Sequence, residues 1–201
     1  MNKMVVFFPT NNIGKFDRYR IAITGRGIKY TRYLQLPNGD DCILNVPEDK
    51  ATPRENAEAK AIAYYEEYKK YIKGDFAIIT TDESLFFNGV DDEQQPGMFV
   101  RRFNGIKGRA SDEEVVERYT DFVRSLGGTA KARWAYSLVM YNGTDFSYMD
   151  WEEPVTFSDT PHYPITPGYV LNNITIVGTD EKRKNDYAFR PNWFRKRRIF
   201  I

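Results

Sequence analysis

Thr10-Asn11-Asn12-Ile13-Gly14-Lys15 lies between the apolar run Met4-Val5-Val6-Phe7-Phe8 and a helix-like segment, and its residue types suit an anion. Short polar side chains, a glycine and a lysine at a strand-to-helix junction supply backbone N–H groups, hydroxyl and amide donors and a mobile positive charge, the combination a phosphate chain needs. The same residues also build ordinary turns, so the loop by itself leaves both readings open. A phosphate site calls for carboxylates too, because Mg²⁺ prefers oxygen ligands and bridges one or two acids to the substrate's phosphates. Two places offer them. Glu48 sits in the strand-to-helix connection Asn45-Val46-Pro47-Glu48-Asp49, with Lys60 on the helix that follows. Asp82 sits just past the apolar run Phe76-Ala77-Ile78-Ile79, in Thr80-Thr81-Asp82-Glu83-Ser84. Acids at strand ends are well placed for metal chemistry, and they are also normal turn residues.

The elements that must position these groups alternate through the first two thirds of the chain, which reads as α/β. Strands are expected over Met4 to Phe8, Tyr30 to Leu36, Cys42 to Val46 and Phe76 to Thr80, each short and bounded by turn residues. Thr52 as N-cap, Pro53 at the first helical position and Glu55 three residues after the cap form a capping box, and Ala57, Ala61, Tyr65, Tyr68 and Ile72 follow along one face. A second capping box, Ser111 with Glu114, opens a helix that Gly127-Gly128 ends. Ala132 to Tyr141 then alternates as a strand, Asn142-Gly143 predicts a tight hairpin turn, and Phe146 to Phe157 returns as the partner strand. The sheet must therefore be mixed. Helices around a mixed central sheet with a hairpin lobe predict two lobes with a ligand cleft between them.

At 201 residues the chain is long enough to bury a core, and no linker or repeat divides it, so a single domain is expected over residues 1–201. The lone cysteine, Cys42, excludes a disulfide framework and reads as a buried small hydrophobe. The N-terminal apolar run is too short for a secretory segment or a membrane span, which points to a reducing cytoplasm and no membrane partner. The net charge of +1 hides an asymmetry: residues 182–201 hold eight basic residues and one acid, leaving −6 on the rest. Such a basic segment suits a nucleotide's phosphates, a nucleic acid, or a solvated edge.

The order of these motifs, continued by Glu48-Asp49-Lys50-Ala51-Thr52-Pro53-Arg54-Glu55-Asn56-Ala57, Thr81-Asp82-Glu83-Ser84-Leu85 and Pro96-Gly97-Met98-Phe99-Val100-Arg101-Arg102-Phe103, resembles the inosine triphosphate pyrophosphatase family over roughly residues 4 to 178. These house-cleaning enzymes hydrolyse deaminated purine nucleoside triphosphates to the monophosphate and pyrophosphate. The resemblance implies that Thr10, Asn12 and Lys15 belong to the phosphate loop, with Glu48 as a metal ligand and Lys60 on the helix facing the phosphates. Asp82 is implied as both metal ligand and catalytic aspartate, with Ser84 of the same motif against substrate. It further implies Mg²⁺ as cofactor, a purine nucleoside triphosphate as substrate and a homodimer.

The base pocket departs from the family pattern. The nearest match to the Gly-aromatic segment that ends in Asp-Pro is Pro167-Gly168-Tyr169-Val170-Leu171-Asn172-Asn173-Ile174, in which Tyr169 suits stacking and Asn172 stands where a carboxylate is expected. An amide both donates and accepts, so base discrimination is expected to differ. The family's paired acid becomes Thr81 before Asp82, with the second acid moved to Glu83. The closing Ser-His-Arg triplet is missing; the lone histidine, His162, precedes the Gly-Tyr segment and reads as a loop residue, and Lys182, Lys184 and Arg190 of the tail are candidate substitutes on substrate phosphate. The non-enzymatic alternative is a nucleotide-binding protein on the same scaffold with altered base preference or lost catalysis. Retention of both acids argues against it. A nucleic-acid partner, suggested only by Trp193-Phe194-Arg195-Lys196-Arg197-Arg198, is not the expected one, since the same residues make a terminal amphipathic strand.

Overall fold

The structure, a computed structural model, describes residues 5–23, 29–105, 110–166 and 169–176. Its centre is a five-stranded mixed sheet. Strand β1 (Val5–Phe7) leads into helix α1 (Ile13–Ile23) and then β2 (Lys29–Thr31); helix α2 (Pro53–Tyr68) leads into the long β3 (Phe76–Phe87); helix α3 (Asp112–Ser125) leads into the hairpin of β4 (Thr129–Tyr141) and β5 (Phe146–Ser158). The strand order is β2-β1-β3-β4-β5, with β1 parallel to both neighbours and β3, β4 and β5 antiparallel. The expected mixed α/β architecture is thus the observed one.

β1 is buried on both faces, as a near-continuous apolar run in the parallel part of a sheet should be. Its side chains alternate: Phe7 joins Ile78, Val139, Ala57, Ala61, Tyr64 and Tyr68 beneath α2, while Val6 and Phe8 join Tyr19, Ala77, Ile79 and Leu138 on the α1 side. A third cluster packs Leu85, Phe87, Val115, Val116, Tyr119, Val123 and Phe157 between α3 and the far half of the sheet. Both capping boxes form, Thr52 with Glu55 and Ser111 with Glu114, and Gly127 and Gly128 end α3 with φ of 98° and 85°. Cys42 is buried, as expected.

Several element boundaries differ from expectation. β3 does not stop at Thr80 but runs on through Asp82 to Phe87, because β4 pairs with it continuously from Ile78↔Tyr141 to Phe87↔Ala132. Cross-strand pairing overrides the local polarity of Asp82-Glu83-Ser84, so Asp82 lies within a strand rather than beyond its end. Cys42 to Val46 forms no strand, and β2 stops at Thr31. Residues 34–44 turn about Gly39 (φ 89°), with an isolated bridge between Gln35 and Asp41, and α2 tyrosines supply the missing backbone partners. The Tyr68 hydroxyl donates to the Cys42 carbonyl (3.0 Å) and accepts from the Leu34 N–H (3.2 Å), and the Tyr64 hydroxyl accepts from the Leu44 N–H (3.1 Å). The hairpin turn is also wider than a two-residue turn. Tyr141 pairs with Phe146 across Asn142 to Asp145, and the Asn142 carboxamide oxygen accepts from the N–H groups of Thr144 and Asp145.

These attachments set a stability order. Tyr68→Phe should cost about 2 kcal/mol, since it strands a part-buried backbone N–H and a buried carbonyl together. Ser111→Ala should cost about 1 kcal/mol as a lost cap. Urea unfolding midpoints at unchanged slope test both values, and equal midpoints for the two variants would contradict the assignment of the Tyr68 hydroxyl.

Candidate active site

β1 pairs with β3 only as far as Phe7↔Ile78, and Gly97 and Gln95 bond to the same edge only at Leu85 and Phe87, so between them a stretch of that edge is open to the loop that follows β1. That loop is held by its own polar side chains. The Thr10 hydroxyl accepts from the Asn12 N–H (3.1 Å), and the Asn12 carboxamide oxygen accepts from the Lys15 N–H (3.1 Å), an N-cap on the first turn of α1. Asn11 accepts from the Tyr33 hydroxyl (2.8 Å). The expected roles of Thr10 and Asn12 therefore acquire a local physical basis: both shape the loop and the α1 N-terminus, where first-turn N–H groups lack intrahelical acceptors. Lys15 is the third residue of α1 and projects its ammonium to the open edge of β3.

Neighbouring residues of a strand point to opposite faces, and this divides the charges of β3. Asp82 faces α2, where the Lys60 ammonium lies 3.5 Å from its Oδ1, 2.8 Å from Glu48 Oε1 and 3.2 Å from the Thr81 carbonyl, to which it donates. Glu83 faces the α1 side, where its Oε1 lies 3.1 Å from Lys15 Nζ. Ser84 shares the Asp82 face, and Ser137 and Asp150 continue that face in register across β4 and β5, joined by a hydrogen bond from the Ser137 hydroxyl to the Asp150 carboxylate. Arg54, near the start of α2, pairs with Asp150.

Burial and neighbours set the protonation of these groups in different directions. Burial pushes the Asp82 carboxyl above the usual aspartate range, outweighing the attraction of Lys60 and Lys15, and Glu48 adds to the rise. Partial desolvation acts the same way on Glu48, whose side chain is about half exposed, yet the charge and hydrogen bond of Lys60, helped by Lys15 and Arg102, hold it below the usual range. Burial would lower Lys15, but Glu83, Asp82 and Glu48 together hold its ammonium above the ordinary lysine value. Each shift follows from competition between desolvation and opposite charge.

The donor set suits a hard divalent cation. Among the described residues no cluster of three or more His, Cys, Asp and Glu side chains forms a metal cage. Mg²⁺ does not require one, since one or two carboxylates and the phosphates of a substrate suffice. Asp82 Oδ2 is buried and has no hydrogen-bond partner, and the Ser84 hydroxyl beside it is in the same condition. A buried carboxylate oxygen without a donor is costly unless a cation or ligand group meets it. Glu48 and Asp82, joined through Lys60, are the residues that fit the ion.

The base-pocket candidates resolve differently. Tyr169 reaches the phosphate loop: a Cβ added to Gly14 would lie 2.9 Å from the Tyr169 Cζ and Oη atoms, so this glycine is needed for close approach and not for an unusual φ. Of the two asparagines, Asn173 is buried and organises the neighbouring loop, accepting from the Thr166 N–H (2.9 Å) and donating to the carbonyls of Pro164 (2.9 Å) and His162. Asn172 is half-buried on the turn Val170–Ile174, its N–H bonded to the Tyr169 carbonyl. His162 is an exposed loop residue, as expected. Lys182, Lys184 and Arg190 lie outside the described residues. Sequence reasoning gave no role to Glu83 or Arg102. Glu83 carried a signal, the displaced second acid; Arg102 was visible only as part of a motif, and its influence on Glu48 is a matter of tertiary placement.

The model of the Ham1 family matches residues 6–156. The Ham1 protein of Staphylococcus aureus superposes with a TM-score of 0.60 at 18% identity, covering 90% of this chain and 89% of that one. A HAM1 protein from Coxiella burnetii gives 0.62 at 17% identity, covering 96% and 95%. At these identities the structural likeness shows the fold. No curated protein gives a match.

The contact between Gly14 and Tyr169 is directly testable. Gly14→Ala should destabilise the chain by about 2 kcal/mol, the order expected of an overpacked contact. Adding Tyr169→Ala should restore most of that loss, a coupling that thermal unfolding of the single and double variants would read. Strict additivity would show that the ring and the loop do not press on each other.

Proposed function

The chain belongs to the Ham1 family, and from that premise and the site geometry we propose that it is a Mg²⁺-dependent nucleoside triphosphate pyrophosphatase acting on inosine and xanthosine triphosphates and their deoxy forms. The observation that carries this reading is the buried Asp82 Oδ2 without a donor, on a strand edge facing a lysine-bearing, helix-capping loop. Lys15 and the α1 N-terminus bind the phosphate chain, and Thr10 and Asn12 hold the loop that presents them. Lys60 keeps Asp82 and Glu48 together and brings a second positive charge to the phosphates. Glu48 and Asp82 would hold a Mg²⁺ ion, whose chemistry there would be neutralisation of the phosphate chain and polarisation of the α-phosphorus. Asp82 orients the attacking water and accepts its proton. The new bond joins the water oxygen to the α-phosphorus; the bond from that phosphorus to the bridging oxygen breaks, and pyrophosphate leaves with the electron pair.

Tyr169 is the stacking candidate for the base. Ser84 and Asn172 are assigned to substrate contact, and Lys182 and Arg190 to phosphate. A homodimer and a cytoplasmic setting belong to the same proposal; among the described residues no helix is long and apolar enough to cross a membrane. Absence of the Ser-His-Arg triplet and the amide at Asn172 favour a base preference different from the family's usual one.

Pyrophosphate release from a panel of deaminated and standard nucleoside triphosphates tests the reading. Selective release is expected with Mg²⁺ and none after chelation. Asp82→Asn should lower kcat by roughly a hundredfold or more, as loss of a positioned base does. Well-folded protein that turns over no triphosphate would overturn the catalytic reading in favour of a nucleotide-binding role.

A further inference from the structure

We propose that Glu83 is a resident counter-anion of the phosphate loop: in the ligand-free chain its carboxylate takes the place on Lys15 that the phosphate chain takes when substrate binds. This inference rests on the reading of Lys15 as a phosphate ligand. Three observations carry it. The Lys15 ammonium, only 17% exposed, meets Glu83 Oε1 at 3.1 Å. The first turn of α1 contains no acidic residue of its own, so the negative charge at this helix N-terminus comes from another strand. Glu83 also points away from Asp82, Glu48 and Lys60, because alternate residues of β3 face opposite sides, and its register partner on β4 is Tyr136. It therefore belongs with the phosphate loop and not with the carboxylates that fit the metal.

The consequence is competition. A ligand must expel one carboxylate before it gains the lysine, and its net gain is the difference between two ion pairs in the same half-buried place. A triphosphate carries enough charge to win that exchange. The cost of expelling the carboxylate is the same for every anion, so the pair acts as a threshold that only a strongly bound ligand clears. After hydrolysis the carboxylate is at hand to reclaim Lys15 as the shortened product departs. Glu83 thus sets the affinity of this loop for anions.

Calorimetric binding of inorganic triphosphate and inorganic phosphate to the full chain, with metal chelated, tests this without reference to turnover. Glu83→Gln keeps the shape and removes the charge; it should tighten triphosphate binding about tenfold, the order of a charge-assisted hydrogen bond. It should improve phosphate binding by a similar factor, because the cost of expelling the carboxylate is common to both ligands. Glu83→Ser should do the same, and Lys15→Ala should abolish the effect of either change. Binding that is equal or weaker in both Glu83 variants, while Lys15→Ala still eliminates it, would overturn the counter-anion role and leave the phosphate loop standing. Binding unaffected by Lys15→Ala would overturn the loop reading, and this inference with it.

Discussion

The site depends on one constraint of strand geometry: β1 ends its pairing with β3 at Ile78, while β4 carries β3 on to Phe87. That leaves a stretch of β3 with one edge unpaired. Such an edge normally needs covering. Here the loop after β1 and the first turn of α1 approach it from one side, and Lys60 of α2 donates to its Thr81 carbonyl from the other. Everything chemical in the fold gathers at this uncovered length. Extending β1 by two residues would replace the loop with a ladder and remove the site.

The pleat then sorts the charges. Asp82, Ser84 and the Lys60–Glu48 pair share the α2 face, and Glu83 and Lys15 share the other. Two carboxylates adjacent in sequence can therefore have different electrostatic surroundings. Asp82 is buried, with Lys60 3.5 Å away and Lys15 also attracting it, and burial dominates it. Glu83 is less buried and makes a closer contact with Lys15. An acid pair on one face would raise the affinity for cations and repel a phosphate chain; splitting the pair avoids concentrating that charge.

Much of this was legible in the sequence where the cause is local. The capping boxes at Thr52 and Ser111, the glycine stop of α3 and the β4–β5 hairpin depend on a few neighbouring residues. Lys15 and Glu48 were legible at their junctions and Lys60 on its helix, whereas Asp82 was legible as a type but lies within β3 and not past its end. What escaped is non-local. The length of β3 is decided by a partner strand distant in sequence, through pairs running from Thr81↔Leu138 to Phe87↔Ala132. The segment containing Cys42 reads as a strand but is held instead by hydroxyls of Tyr64 and Tyr68 from α2. The Asn172-Asn173 pair could not be divided by sequence into a turn residue and a buried loop organiser, because that depends on which amide meets the carbonyls of Pro164 and His162.

The measurement that bears most directly on the central claim is a crystal structure with Mg²⁺ and an inosine triphosphate analogue whose α,β-bridging oxygen is replaced by NH. The account predicts the phosphate chain on Lys15 and the α1 N-terminus, the ion on Glu48 and Asp82 Oδ2, and the α-phosphorus facing Asp82. A triphosphate bound away from the open edge of β3, or an ion that leaves Asp82 Oδ2 without a partner, would contradict it.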